Sequence, residues 1–91
     1  IRSFKHKGLR RFFLESAKSG IQPSHAERLK VVLSWLGSAV EPKDMDLPRL
    51  KLHRLKGTRK DTRSVWVNGN WRVTFSFEGK DAIDVDYEDY H

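Results

Sequence analysis

The chain has 91 residues, with 18 lysines and arginines against 12 aspartates and glutamates, and no cysteine. This length suits one domain over residues 1–91 with a modest core, and the missing thiols exclude disulfides and cysteinate zinc sites while fitting a reducing, cytoplasmic setting. A net charge of +6 favours an anionic partner such as nucleic acid, and no apolar run reaches membrane-spanning length or reads as a signal peptide.

The first residue is not methionine, and the chain is expected to begin just after a removed initiator. Ile1-Arg2-Ser3-Phe4 alternates and predicts an edge strand. Leu9, Phe12, Phe13 and Ala17 then recur at helical spacing before Gly20, so a helix is expected from about Lys7 to Ser19. Pro23-Ser24-His25-Ala26-Glu27 predicts a second helix start. Ser24 would cap the amide of Glu27 while Glu27 reaches back to the amide of Ser24. Ala26, Leu29, Val32, Leu33 and Leu36 form its apolar stripe, and Gly37 its end. His6 and His25 are expected to be solvated.

Ser38 to Pro48 carries two prolines and several charges, which predicts a loop with at most one short helical turn. Alternation returns at Leu50-Lys51-Leu52-His53 and again, after the charged turn Lys56–Asp61, at Ser64 to Val67. Asn68-Gly69 is a hairpin dipeptide because both residues tolerate positive φ. From Trp71 to Phe77 the apolar positions are Trp71, Val73, Phe75 and Phe77, with Arg72, Thr74 and Ser76 between them. Ile83, Val85 and Tyr87 then alternate with Asp84, Asp86 and Glu88. The pattern predicts an α+β fold, two N-terminal helices packed on a small antiparallel β-sheet with one apolar and one polar face.

On the polar face or its rim stand His53, Lys56, Arg72 and the chain end Asp89-Tyr90-His91. Each has an ordinary explanation: a surface histidine, an arginine paired with Asp84 or Asp86, a frayed terminus. As a set they contain what metal-free RNA cleavage requires. A 2′-hydroxyl must lose a proton to attack the adjacent phosphorus, the phosphorane needs cations, and the leaving 5′-oxygen must gain a proton. Histidine titrates in the right range to do both transfers. Arg and Lys stabilise the phosphorane, and Tyr90 can stack on an unpaired base. The competing constellation is acidic: Asp84, Asp86, Glu88 and Asp89 could hold Mg²⁺, or simply be a solvated strand face.

Leu52-His53-Arg54-Leu55-Lys56-Gly57, Asn68-Gly69-Asn70-Trp71-Arg72-Val73-Thr74-Phe75 and the terminal Asp89-Tyr90-His91 together resemble the HigB toxins of the RelE/ParE superfamily. The resemblance spans the chain. It implies a compact RelE/ParE-like domain acting as a ribosome-dependent mRNA interferase, an endoribonuclease that cuts message in the ribosomal A site. Carried onto these positions, His53 and His91 would be the acid–base residues, with His91 the general base. Arg72 would contact the scissile phosphate, Lys56 would help neutralise it, Tyr90 would stack on a base, and Asp89 would orient its neighbours. No metal or cofactor is implied. The implied partners are a helix-turn-helix (HigA-like) antitoxin, operator DNA through that antitoxin, the ribosome with its rRNA, and mRNA. Departures from the family pattern are Asp61 and Arg63 before the third strand, and Trp66 where a polar or basic residue is usual. Two alternatives share the fold: a gyrase poison of the ParE type, and an RNA-binding domain without catalysis.

Overall fold

The computed structural model describes residues 1–90; His91, the last of the candidate site residues, lies outside them. Two helices precede a four-stranded antiparallel sheet whose spatial order follows the chain.

Helix α1 spans Lys7–Glu15. Its cap is His6, whose Nδ1 accepts the Leu9 amide at 3.0 Å, so this histidine is structural and half-buried rather than merely solvated. The helix stops four residues short of the expected end at Ser19. Ser16 turns into the left-handed region at φ 58°, and its amide bonds the Phe12 carbonyl at 3.0 Å. Gly20 is therefore not the stop. It sits backbone to backbone against Gly8: a Cβ added to Gly20 would lie 2.5 Å from the Gly8 Cα, and one added to Gly8 would lie 2.7 Å from the Gly20 Cα. The pair clamps the start of α1 to the segment that leads into the next helix.

Helix α2 spans Ala26–Ser38. The expected cap by Ser24 and Glu27 does not form. Pro23 opens a short 3₁₀ turn, Pro23–His25, which moves the helix start to His25 and leaves it without a side-chain cap. The stripe Ala26, Leu29, Val32, Leu33 and Leu36 is buried as expected. The following loop holds one 3₁₀ turn, Pro42–Met45, with Met45 buried and the Asp44 carboxylate accepting the Val40 and Glu41 amides at 2.9 and 3.3 Å.

The strands are β1 (His53–Arg54), β2 (Arg63–Asn68), β3 (Trp71–Glu78) and β4 (Asp81–Asp89). Strand β1 is shorter than the alternation from Leu50 suggested, because Arg49 and Lys51 take φ of 72° and 49° and break the extended run. The β2–β3 turn is Gly69-Asn70, one residue later than expected: Asn68 pairs with Trp71, and Gly69 supplies the positive φ at the first turn position. The N-terminal segment joins the outer edge of β4 as one parallel bridge, Phe4 to Val85, with main-chain bonds from Arg2 and Lys5.

A bulge changes the reading of β4. Thr74 pairs with Asp86, but Ser76 pairs with Ile83, so β4 carries one extra residue. Asp84 absorbs it at φ 53°. Beyond the bulge the phase flips, and Ala82, Val85 and Tyr87 are buried where Ile83, Val85 and Tyr87 were expected. One hydrophobic core unites Leu9 and Phe12 of α1, the α2 stripe, and Val65, Val73, Phe75, Val85 and Tyr87 of the sheet. Fully burying a side chain such as Phe75 contributes about 1.5–3 kcal/mol.

His25 belongs to this interior. It is 5% exposed, contrary to the expected solvated position. Its Nδ1 lies 2.5 Å from the Tyr87 hydroxyl, with Trp71 edge-on at 5.6 Å. The Gln22 amide donates to the same hydroxyl at 3.4 Å. A neutral His25 can meet that hydroxyl through Nδ1 in either tautomer. Burial lowers the His25 pKa in keeping with that neutral form.

The glycine contact gives a direct test. Gly20→Ala should lower stability by about 1–3 kcal/mol in chemical denaturation, because the new methyl meets backbone that cannot yield without moving α1. An unchanged denaturation midpoint would show that the two segments are not clamped.

Candidate active site on the polar face of the sheet

Antiparallel partners place their side chains on one face. The register therefore builds two rows on the face opposite Val65, Val73 and Tyr87. One row is His53, Ser64, Thr74 and Asp86; the next is Trp66, Arg72 and Glu88. Alternation along the chain after Glu88 carries Tyr90 to the same side and Asp89 to the other. The Tyr90 amide donates to the Asn70 carbonyl at 2.8 Å. That bond ties the end of the described chain to the turn from which Arg72 projects.

Arg72 pairs with neither Asp84 nor Asp86. It donates to the carbonyls of Gly69 and Trp71 at 3.2 and 3.1 Å, which leaves its positive charge uncompensated by those acids. Two of the β4 acids are engaged elsewhere: Asp86 accepts the Tyr87 amide at 2.9 Å, and Glu88 is held by two side chains. Among the described residues no group of three or more His, Asp or Glu is arranged to hold a metal ion, so the acidic constellation considered for Mg²⁺ does not assemble there.

Glu88 anchors a network that the sequence pattern did not reveal. Arg59, in the 3₁₀ turn Gly57–Arg59 between β1 and β2, meets both carboxylate oxygens at 2.7 and 3.1 Å. Thr74 donates to the same carboxylate at 2.5 Å. Arg59 also reaches the Tyr90 hydroxyl at 3.4 Å. The β1–β2 connection thus arches over the polar face as far as β4, and its guanidinium bonds the Tyr90 phenol. Thr62 and Ser76 hydroxyls close the other side of this arch at 3.3 Å. Burial opposes ionisation of Glu88, but the bonds from Arg59 and Thr74 outweigh it and hold the carboxyl below its ordinary range.

The remaining candidates lie on one side of this centre. His53 is exposed on β1, separated from β4 by two strands, about 14 Å at ordinary strand spacing. Lys56 is exposed at the start of the arch that carries Arg59. By register and alternation Arg72 and Tyr90 share one face, His53 and Lys56 lie towards β1, and Asp89 falls on the opposite side. The surface so formed is cationic, shallow and lined by an aromatic ring, which suits a single-stranded polyanion with an unstacked base. In the sequence Arg59 read as one charge among many in a polar turn, with nothing to link it to Glu88.

Comparison with known proteins bears on the whole chain. The family described as the RelE-like toxin of the type II toxin–antitoxin system HigB matches residues 2–91. Endoribonuclease HigB of Proteus vulgaris is similar to this chain at 41% identity, covering 100% of the chain and 99% of that protein.

The Glu88 network gives a pH-dependent signature. Its stabilising contribution is complete above the ordinary glutamate value of 4.5 and is lost as pH falls through the lowered value in the fold. Glu88→Gln should therefore melt earlier than the parent at neutral pH, by the equivalent of about 1 kcal/mol or less for this partly exposed pair. The difference should close as the pH drops towards 3. A gap that stays constant from pH 7 to pH 3 would contradict the ion-pair assignment.

Proposed function

The chain belongs to the RelE-like toxins of HigB type II toxin–antitoxin systems, and from that premise we propose that it is an endoribonuclease cutting message in the ribosomal A site. The full-length likeness to an endoribonuclease supports the activity. The observation that supports the residue assignment is the bond from the Tyr90 amide to the Asn70 carbonyl, in the turn two residues before Arg72.

On this reading one domain over residues 1–91 lays its two helices on the apolar face of the sheet and keeps the polar face for RNA. Arg72 contacts the scissile phosphate and stabilises the charge that develops on it. Tyr90, steadied by Arg59, stacks on a base and holds the sugar of the attacked nucleotide in line. His91 takes the proton from the 2′-hydroxyl as that oxygen bonds to phosphorus. His53, across the face, returns a proton to the 5′-oxygen as its bond to phosphorus breaks. The products are a 2′,3′-cyclic phosphate and a 5′-hydroxyl, with no metal and no cofactor required. Lys56 adds charge on the His53 side, and Asp89 orients the terminal residues from behind. The ribosome supplies substrate orientation, so a shallow face suffices. A gyrase poison would leave this grouping of Arg72, Tyr90 and the histidines without a task.

A toxin of such a system has an antitoxin partner. We take this one to be a helix-turn-helix, HigA-like protein that links the pair to operator DNA, with the ribosome, its rRNA and mRNA as the toxin's own targets.

The test is cleavage of ribosome-bound message by purified variants, read by primer extension. His91→Ala should slow cutting by about 10²–10⁴-fold, the usual contribution of a positioned acid or base. Arg72→Ala should lose on the order of 10²-fold or more. Both should melt like the parent. Parent-rate cleavage by His91→Ala would overturn the assignment, and a DNA-damage response without message cleavage would overturn the nuclease reading.

A further inference from the structure

A second cationic group stands outside the residues proposed for chemistry. Its centre is Trp66, half-buried on β2, whose indole N–H donates to the Gly69 carbonyl at 3.0 Å. The Lys51 ammonium lies 4.7 Å from the ring centroid and the Arg28 guanidinium 5.3 Å from it. Arg28 also shares a shallow open hollow with Arg49, bounded further by Ser24, Glu27 and Val31. Glu27 is the one acid among these residues. The ion pairs found among the described residues engage Arg2 and Arg59, not these three cations.

Arg49 and Lys51 both occupy the left-handed region, at φ 72° and 49°. They flank Leu50, which is buried and whose carbonyl accepts the Trp66 amide at 2.6 Å. Leu50 is thus the anchor, and the two kinks beside it belong to residues that are both exposed and both basic. Left-handed backbone is unfavourable for residues with a Cβ and is retained mainly where a site uses it. Glycine would accept both conformations more readily; arginine and lysine add charge, and Lys51 the contact with Trp66.

We propose that Arg28, Arg49 and Lys51, gathered round Trp66, form a binding site for the sugar–phosphate backbone of RNA. The indole holds two of the cations by cation–π attraction, so less side-chain freedom remains to be lost when phosphates arrive. Arg72 donates to the same Gly69 carbonyl as Trp66, which makes the site continuous with the candidate active site. The site deepens the RNA-directed reading above by naming where the polyanion is gripped beyond the cleaved bond. The phosphates can come from message flanking that bond or from rRNA.

The decisive variant is Arg49→Gly/Lys51→Gly, because glycine accepts both backbone conformations while removing both charges. Binding is measured to a short 2′-O-methyl oligouridine, which cannot undergo 2′-hydroxyl attack, and to bacterial ribosomes. Lys43→Ala, an exposed lysine in the Pro42–Met45 turn, is the control for net charge. The double variant should bind at least one probe tenfold or more weakly at about 0.1 M salt, with Tm held or raised. On the oligonucleotide, the slope of log affinity against log salt should fall by about 0.7 for each phosphate that is no longer neutralised. Weaker binding to the oligonucleotide assigns the site to message; weaker binding to ribosomes alone assigns it to rRNA. Parent-like affinity for both probes, an equal loss in the Lys43 control, or a parent that binds neither probe would overturn the proposal. Cleavage is not read, so a parent that binds through this site yet never cuts message would sink the nuclease reading and leave the site standing.

Discussion

The pairing of β3 with β4 is the constraint on which the polar face depends. Those two strands run together from Glu78 and Asp81 at the turn to Trp71 and Asp89 at the far end. Their register decides that Glu88 lies across from Arg72 and that Tyr90 arrives at Asn70. A slip of one residue would exchange the two faces of β4, burying acids and exposing Tyr87. The bulge at Asp84 sharpens the point. It lets Ala82 enter the core at one end of β4 while Val85 and Tyr87 enter at the other, so the strand serves two phases without breaking the ladder.

On the opposite side, the same strand meets His25. Its bond to the Tyr87 hydroxyl couples the start of α2 to β4, and His6 places its ring 5.3 Å from Tyr87 while capping α1. The two histidines that looked idle in the sequence therefore brace the back of the strand whose front carries Glu88 and Tyr90. Histidines at the back are structural; those at the front and terminus are the ones proposed to move protons.

Much of this was legible before the structure. The alternation from Trp71 to Phe77 needs only the two-residue period of a strand, and the α2 stripe needs only the helical one; both are local properties. The misses share a different cause. Left-handed residues at Ser16, Arg49, Lys51 and Asp84 end α1, shorten β1 and bulge β4, and none of these side chains announces such a conformation as glycine does. Pro23 with Ser24 read as a helix cap, but a 3₁₀ turn intervened to bring His25 inward. Arg59 and Glu88 are 29 residues apart and meet only because the β1–β2 arch crosses the sheet. Gly20 looked like a helix terminator because its true partner, Gly8, is close in space and not in pattern.

The central claim is that strand register delivers Tyr90 to the face occupied by Arg72. It is tested most directly by inserting one glycine between Asp89 and Tyr90 and measuring cleavage of ribosome-bound message under single-turnover conditions. The insertion leaves every core residue in place but sends the Tyr90 side chain to the other face and displaces the residue after it. The account predicts a loss of about 10²-fold or more with Tm unchanged within a few degrees. Cutting at the parent rate would mean that the chemistry does not depend on where β4 sets down its last residues.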